Sequence, residues 1–424
     1  MAMKTRVCAG SCRLLVLAAL AVAVLAQTAC SRVTPHLVLP DVELSDAGFL
    51  PTIEGLTAAP MTGGNNVEVL LNGDEIFPAQ LAAIRRARQT ITYAQYFYEE
   101  GANARALAEA LAERCQQGVR VHVLLDGFGT LQMPGEYRAI MEKAGCKLAT
   151  FRPVAPYVQK ANFRNHRRVL VADGRIGFTG GSGASSKWMG NGRTRDHWRE
   201  TDVRLEGPAV IHLQGAFAEN WLEATGEVLG GDPYFPATPA RGDMRAQVVR
   251  SSPAGGSYSM YTMYLLAISS ARRTIFITNP YFVPDEQMTL ALVEAPRRGV
   301  KVVLLLPGAI DNNIVRQASR SEFGRLLQAG IAIYEYRSGL LHAKTMVVDS
   351  AWSTVGSTNL DRRSFALNEE LNVAVHSRAF AGRMERVFAD DLAHAQRIDY
   401  AAWKSRGIGS RILEFFALPL RDQL

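Results

Sequence analysis

Apolar positions in this chain fall into two kinds of run, and each kind occurs twice. The stretches ARQTITYAQYF (87–97) and ARRTIFITNPYF (271–282) each pass from a helix end into an apolar run rich in β-branched and aromatic residues, which predicts a buried strand. GVRVHVLLDG (118–127) and GVKVVLLLPG (299–308) each open on a helix-terminating glycine and predict a second strand bounded by glycine. Between them, NARALAEALAERCQQ (103–117) and QMTLALVEAPRRG (287–299) have the spacing of amphipathic helices. Each half therefore reads as strand, helix, strand. Continuous apolar strands joined through helices imply a mostly parallel sheet flanked by helices. The expected fold is α/β, with two tandem modules over 67–235 and 236–424 that divide near GGDPYFPATPARGD (230–243). Residues 33–66, rich in Pro, Gly and Thr and without sustained periodicity, read as a linker.

The N-terminus changes where the protein is expected to work. Lys4, Arg6 and Arg13 precede or border the apolar run Leu14 to Ala26, which is short for a membrane span and suits an export signal. Residues 1–32 are read as a signal peptide cut after Ala26, as a lipoprotein signal ending at Cys30 with Gln27 where an aliphatic residue is usual, or as an uncleaved anchor. All three place the remainder at the cell envelope, membrane-associated or exported. The rest of the composition, 48% hydrophobic and 21% charged over 424 residues, is that of a globular chain long enough for two cores. The formal charge of +7 falls by three, to +4, once the three N-terminal cations are set aside. That balance suits a phosphate-bearing partner or a membrane surface and is weak for a nucleic-acid binder, so none is expected. Of five cysteines only Cys115 and Cys146 lie in the modules; they have no metal-like spacing, and a disulfide and two buried thiols both remain open. No metal or cofactor is expected.

The candidate chemistry sits in a third repeat, NHRRVLVADG (165–174) and LHAKTMVVDS (341–350), offset by 176 residues. On a strand His342 and Lys344 share one face, so an imidazole and an ammonium can grip one phosphate. The Lys neutralises its oxygens while the His attacks phosphorus or passes a proton. Glycine-containing turns follow: GSTNLD, with Ser357 and Asn359 as phosphate donors, and TGGSG, with Gly180 and Gly181 in the same role. One His-x-Lys pair alone would read as a solvated strand. Two copies supply the pair of proton-handling groups that phosphodiester exchange through a covalent intermediate requires.

On these residues the chain resembles the phospholipase D superfamily, and within it HAKTMVVD followed by GSTNLDRRSFALNEELN is similar to the second motif of bacterial cardiolipin synthases. The resemblance covers roughly residues 66–424 and implies an active site between the two modules. It implies a double displacement on glycerophospholipids, with His166 as nucleophile and His342 as acid and base, the reverse assignment remaining open. It further implies that a carboxylate after each His orients its ring: Glu370 for His342, and Glu200 for His166 with Asp202 as the alternative. Asp173 and Asp349 are expected to hold the fold around each motif. Arg168 stands where the family has Lys, and Gly181 and Gly183 stand where the second half has Ser357 and Asn359. Besides phosphatidyl transfer, the residues leave open phospholipid hydrolysis, a nuclease of the same superfamily and a non-catalytic lipid-binding module. The loop SSKWMGNGRTRDHWRE (185–200) is expected to cover the site or to pack its two Trp inward, Arg362 and Arg363 bring cations near a phosphate, and 406–424 has the pattern of an amphipathic helix. Oligomeric state is left open.

Overall fold

The computed structural model describes residues 38–154, 162–253, 256–407 and 414. The expectations for residues 1–32, and most of that for 406–424, therefore lie outside the described residues. Among the described residues no helix is long and apolar enough to cross a membrane.

The first half supplies β1 (Thr62–Leu71), β2 (Thr90–Gln95), β3 (Arg120–Asp126), β4 (Lys147–Phe151), β5 (Val169–Ala172), β6 (Ile176–Gly180), β7 (Trp198–Arg199) and β8 (Thr201–Glu206). The second supplies β9 (Met244–Ser251), β10 (Thr274–Thr278), β11 (Phe282–Val283), β12 (Lys301–Pro307), β13 (Ala332–Tyr336), β14 (Leu340–Leu341), β15 (Thr345–Val348), β16 (Trp352–Gly356), β17 (Leu360–Asp361), β18 (Glu370–His376) and β19 (Ala395–Arg397). Fifteen of these strands form one sheet, in the order β19-β13-β12-β10-β15-β16-β18-β9-β1-β8-β6-β5-β2-β3-β4. The predicted strands appear as β2, β3, β10 and β12, with the helices Ala102–Gln116 and Glu286–Arg297 as the crossovers.

The sheet is mixed rather than mostly parallel. Among the described residues its parallel pairings are β2 with β3, β3 with β4, β10 with β12 and β12 with β13. The cause is local. β5 and β6, and likewise β15 and β16, are joined by tight turns at Asp173–Gly174 (φ 52° and 62°) and Asp349–Ser350 (φ 52° and 53°). Two residues in the left-handed region fold a chain back on itself, so these strands pair antiparallel.

The segment read as a linker is also corrected: within 33–66 lie the helix Phe49–Thr57, with Phe49 and Ile53 buried, and the first residues of β1. Helix FLPTIEGLT has too few turns to show periodicity, and TGGNN at the start of β1 has no alternation. Pairing supplies what the local sequence lacks: Thr62 lies opposite Ala246 of β9, while Asn66 to Leu71 pair with β8. β1 thus joins the two halves through backbone hydrogen bonds. A single apolar core follows the same course, with Val67, Val203 and Leu205 from the first half clustering with Val248, Val373 and Val375 from the second. Cys115 and Cys146 form a disulfide with Cα atoms 5.5 Å apart.

Candidate active site

His166 and Arg168 precede β5, and His342 and Lys344 precede β15. Val169 lies opposite Ala94 near the end of β2, and Thr345 opposite Thr278 at the end of β10. Antiparallel pairing therefore delivers each histidine segment to the end where the parallel strands of its own repeat finish, which is where open α/β sheets place their ligands.

At these strand ends the two halves exchange backbone hydrogen bonds. The amide of His166 donates to the carbonyl of Glu369 at 3.0 Å, and the amide of Glu369 donates to the carbonyl of Arg164 at 2.8 Å. In the other half β14 runs parallel to β7, and the His342 amide donates to the Arg199 carbonyl at 2.8 Å. Each histidine is thus laid beside the carboxylate of the opposite repeat. His166 Nδ1 lies 2.9 and 3.1 Å from the two oxygens of Glu370, and His342 Nδ1 lies 2.6 Å from Glu200 Oε2. The expected pairing within each repeat is corrected to a crossed one. Asp202, the alternative partner of His166, is engaged by the Gly181 and Ser182 amides and the Ser182 hydroxyl.

All four members of these pairs are buried, and their charges are unequal. Burial, with Arg168 and Lys344 nearby, holds His166 well below the usual imidazole range. Burial and Lys344 lower His342 to about 4, against the opposing pull of Glu200. Burial would raise Glu200, but His342 and Lys344 outweigh it and hold that carboxyl at about 2. Glu370 is pushed up to about 7 by burial, with hydrogen bonds from Ser357 and Ser364 resisting. The difference follows the cations. The Lys344 ammonium lies 2.9 and 3.1 Å from the two ring nitrogens of His342 and donates to the His342 carbonyl. Arg168 donates to the His166 carbonyl in the same way, but its guanidinium lies over the Tyr96 ring at 5.3 Å and its Nε is buried without a partner. Burial lowers Lys344 to about 7 even with Glu200 beside it.

Several residues expected to hold phosphate do something else. The Ser357 hydroxyl donates to Glu370, so it supports the carboxylate behind His166. Gly181 gives its amide to Asp202, and a Cβ there would lie 2.6 Å from both oxygens of Glu200. Gly180 is pressed against Asp202, where a Cβ would lie 2.0 Å from Oδ1. Glycine is thus required by close approach of the first-half carboxylates, and Glu200 is supported instead by Trp188 Nε1 at 3.1 Å and the Thr201 amide at 3.0 Å. Asn359 is buried with its Oδ1 unpartnered. Asp173 accepts the amides of Arg88, Gln89 and Thr90, and Asp349 those of Arg272, Arg273 and Thr274. Each ties its hairpin turn to the start of a parallel strand.

Three aromatic residues complete the walls. Tyr96 meets the His166 ring edge-on at 4.8 Å between centroids, and Trp188 and Trp198 each lie 5.2 Å from His342. The Trp residues belong to the 185–200 loop, which packs them inward. The sequence signal for Tyr96 is a further repeat: AQYF and NPYF recur in the two halves, making Tyr281 its counterpart. Arg363 donates to Asn162 Oδ1 at 2.7 Å, and its charge contributes to lowering His166. Among the described residues no group of three or more His, Cys, Asp or Glu is arranged to hold a metal ion.

The geometry has counterparts of known type. A family described as cardiolipin synthase, PLD-like domain, matches residues 81–221 and 264–392. Cardiolipin synthase 1 of Bacillus anthracis is 33% identical over 374 residues, covering 86% of this chain and 74% of that protein. Cardiolipin synthase of Geobacillus kaustophilus is 36% identical over 359 residues, covering 84% and 72%. The crystal structure of phosphatidylserine synthase from Haemophilus influenzae superposes with a TM-score of 0.66 over 89% of this chain and 100% of that one; at 12% identity it shows a shared fold. With both repeats matched and each supplying the carboxylate that meets the other's histidine, the chain belongs to the cardiolipin synthase, PLD-like domain family of the phospholipase D superfamily.

Proposed function

We propose that this protein transfers a phosphatidyl group between glycerophospholipids, as its cardiolipin synthase relatives are named for doing, through a phosphohistidine. The observation that carries this reading is the crossed pair of buried imidazoles, each with Nδ1 on a carboxylate of the other repeat. That arrangement favours the tautomer with the proton on Nδ1 and turns Nε2 of each ring to the chemistry, with the Lys344 ammonium 3.1 Å from Nε2 of His342. In the first step the His166 Nε2 lone pair forms a bond to phosphorus, the P–O bond to the leaving glycerol breaks, and that oxygen takes a proton from His342. In the second, His342 removes the proton from the incoming hydroxyl, the oxygen attacks phosphorus, and the P–N bond returns its pair to His166.

Glu200, which stays anionic, supports the assignment of His342 as proton carrier, since an imidazolium there gains a full counter-charge. His166, held neutral, supports its role as nucleophile. The lowered His342 requires the substrate itself: a phosphodiester anion entering the site adds a negative charge that favours the imidazolium. Lys344 and Arg168 then neutralise the phosphoryl oxygens, and Asn359 lies on the turn that faces them. The modules doing this are 67–235 and 236–424, and the work is placed at a membrane surface of the cell envelope. The N-terminal apolar segment and a disulfide suited to an oxidising compartment support that location.

The test is product analysis with purified protein and phosphatidylglycerol vesicles. Cardiolipin and glycerol are expected, together with an acid-labile, alkali-stable protein label from phosphorus-labelled lipid that His166→Ala abolishes. Phosphatidic acid as sole product would replace transfer by hydrolysis, and a label retained in His166→Ala would move the nucleophile to His342.

A further inference from the structure

Two surface segments leave the ends of the parallel strands at which the histidines lie, one in each repeat. The first follows β3 and the second follows β12, the middle strands of the two parallel triplets. Each presents apolar surface to solvent: Phe128 is 55% and Leu131 65% exposed on the first, and Ile314, in the first turn of the helix that follows β12, is 46% exposed on the second.

Neither loop is loosely attached. Asp126, at the end of β3, accepts the Phe128 and Gly129 amides at 2.8 and 3.0 Å and, with its other oxygen, the Asn165 amide at 2.9 Å. The residue next to Asn165 is His166. Gly129 sits directly on Tyr96, where a Cβ would lie 2.0 Å from the Tyr96 carbonyl, and Tyr96 is the wall of His166. In the second repeat the counterpart Tyr281 donates its hydroxyl to Asp311 at 2.6 Å, and Ile310 packs with Tyr281 against Val283 and Val315. Asn312 caps the helix Asn313–Gln328 by accepting the Ile314 amide at 3.0 Å. The backbone that carries each apolar tip is thus held in place, and each tip lies at the strand ends that carry the histidine of its own repeat.

We infer that Phe128 and Leu131 on one side, and Ile314 on the other, form a two-sided rim that enters the acyl region of an anionic phospholipid bilayer while a headgroup passes between them to the histidines. This rests on the reading of the substrate as a glycerophospholipid. The occupant is argued from the site itself. A phosphodiester that must reach buried imidazoles still carries two acyl chains, and these avoid water only if the bilayer stays in contact with the cleft mouth. Apolar prominences flanking a cleft meet that requirement. A protein partner would instead need a continuous patch of about 800 Å² on this surface, whereas here the apolar groups stand on separate loops with the reaction path between them. A backbone already held at Phe128 and Ile314 by Asp126 and Asn312 has little freedom left to lose on insertion.

The test uses the full chain and the double variant Phe128→Ser/Leu131→Ser, with Ile314→Ser as a second probe. Partition is measured onto vesicles of equal phosphatidylglycerol and phosphatidylethanolamine, and turnover on the same vesicles is compared with turnover of dihexanoyl phosphatidylglycerol kept monomeric. The double variant is expected to partition at least tenfold more weakly and to lose vesicle turnover in proportion at low lipid. Its turnover of the short-chain lipid is expected to stay within twofold of the parent, which also reports an intact fold. Unchanged partition would overturn the inference, and so would equal loss on both substrates, since the loops would then serve the reaction and not the docking. Unchanged partition with loss of self-association in sedimentation would assign the rim to a second copy of the chain and likewise overturn it. Should the parent turn over neither lipid, the phosphatidyl-transfer reading fails, while partition alone still decides the rim.

Discussion

Replacing Glu200 by Gln separates the crossed pairing from the alternative in which each carboxylate serves its own repeat. Gln keeps the shape and one hydrogen-bonding oxygen but removes the charge that opposes burial and Lys344 at His342. A hydrogen bond to a charged group is worth roughly 1.5–3 kcal/mol, so kcat/KM for phosphatidylglycerol should fall about 10- to 150-fold at 1.36 kcal/mol per decade. The same number applies to Glu370→Gln, so magnitude alone does not distinguish them. The leaving group does. An aryl phosphodiester expels a weakly basic phenolate that needs no proton from a general acid. With that substrate, Glu200→Gln should leave the pre-steady-state burst of phenolate almost intact, because His342 is idle in the first step. Glu370→Gln should slow the burst, because it disturbs His166 directly. The assay is stopped-flow absorbance of the released phenolate with each variant. The opposite pattern, a slowed burst in Glu200→Gln and an intact one in Glu370→Gln, would refute the combination of crossed contacts and assigned roles.

Further consequences are open to simpler measurements. Gly181→Ser, which makes the first turn resemble the second, should abolish turnover instead of improving it, because its Cβ lies 2.6 Å from both oxygens of Glu200 and displaces that carboxylate; a kcat assay beside Ser357→Gly decides this. His122 is buried against Trp221 and Tyr234 with both ring nitrogens unpartnered, and burial lowers it to about 4. Between about 4 and its ordinary 6.5 the unfolded chain binds the proton more readily, so its contribution to stability is full above 6.5 and is lost as pH falls towards 4. His122→Leu should therefore reduce the drop in Tm between pH 7 and 4.5. Breaking Cys115–Cys146, which spans 31 residues, should cost about 3–4 kcal/mol through unfolded-chain entropy; the Cys115→Ala/Cys146→Ala pair should show this in denaturant unfolding with kcat unchanged.

Why some of this was legible in the chain and some was not has a physical basis. Strands such as Thr90–Gln95 and Lys301–Pro307 announce themselves because they are buried on both faces, and burial writes a nearly unbroken apolar run. The hairpins were present in the letters too, since the Asp-Gly at 173–174 that ends the first motif is a turn signal as well as part of a catalytic signature. The expectation of a mostly parallel sheet left that turn out of account. Helix Phe49–Thr57 and the start of β1 could not be read because their order comes from partners far away in the chain, Ala246 among them.

The carboxylate partners show a deeper limit. An approximate two-fold operation that takes His166 to His342 also takes Glu370 to Glu200, and it does so whether each histidine uses the carboxylate of its own repeat or of the other. Repetition therefore predicts two equivalent pairs without saying which. Chain separation favours pairing within a repeat, 28 residues for His342 with Glu370 against 142 for His342 with Glu200. What decides is the lateral contact of the Arg164–His166 segment with Glu369, and of Leu340–Ala343 with Trp198–Arg199, which is a register between the halves. Neither half contains a complete histidine–carboxylate pair, so each pair exists only where the two halves meet. The departures at Arg168 and Gly181 follow from the same geometry: with Lys344 and two Trp supporting the Glu200–His342 pair, the other pair is left to Arg168, Tyr96 and Ser357, and the two histidines are no longer chemically equivalent.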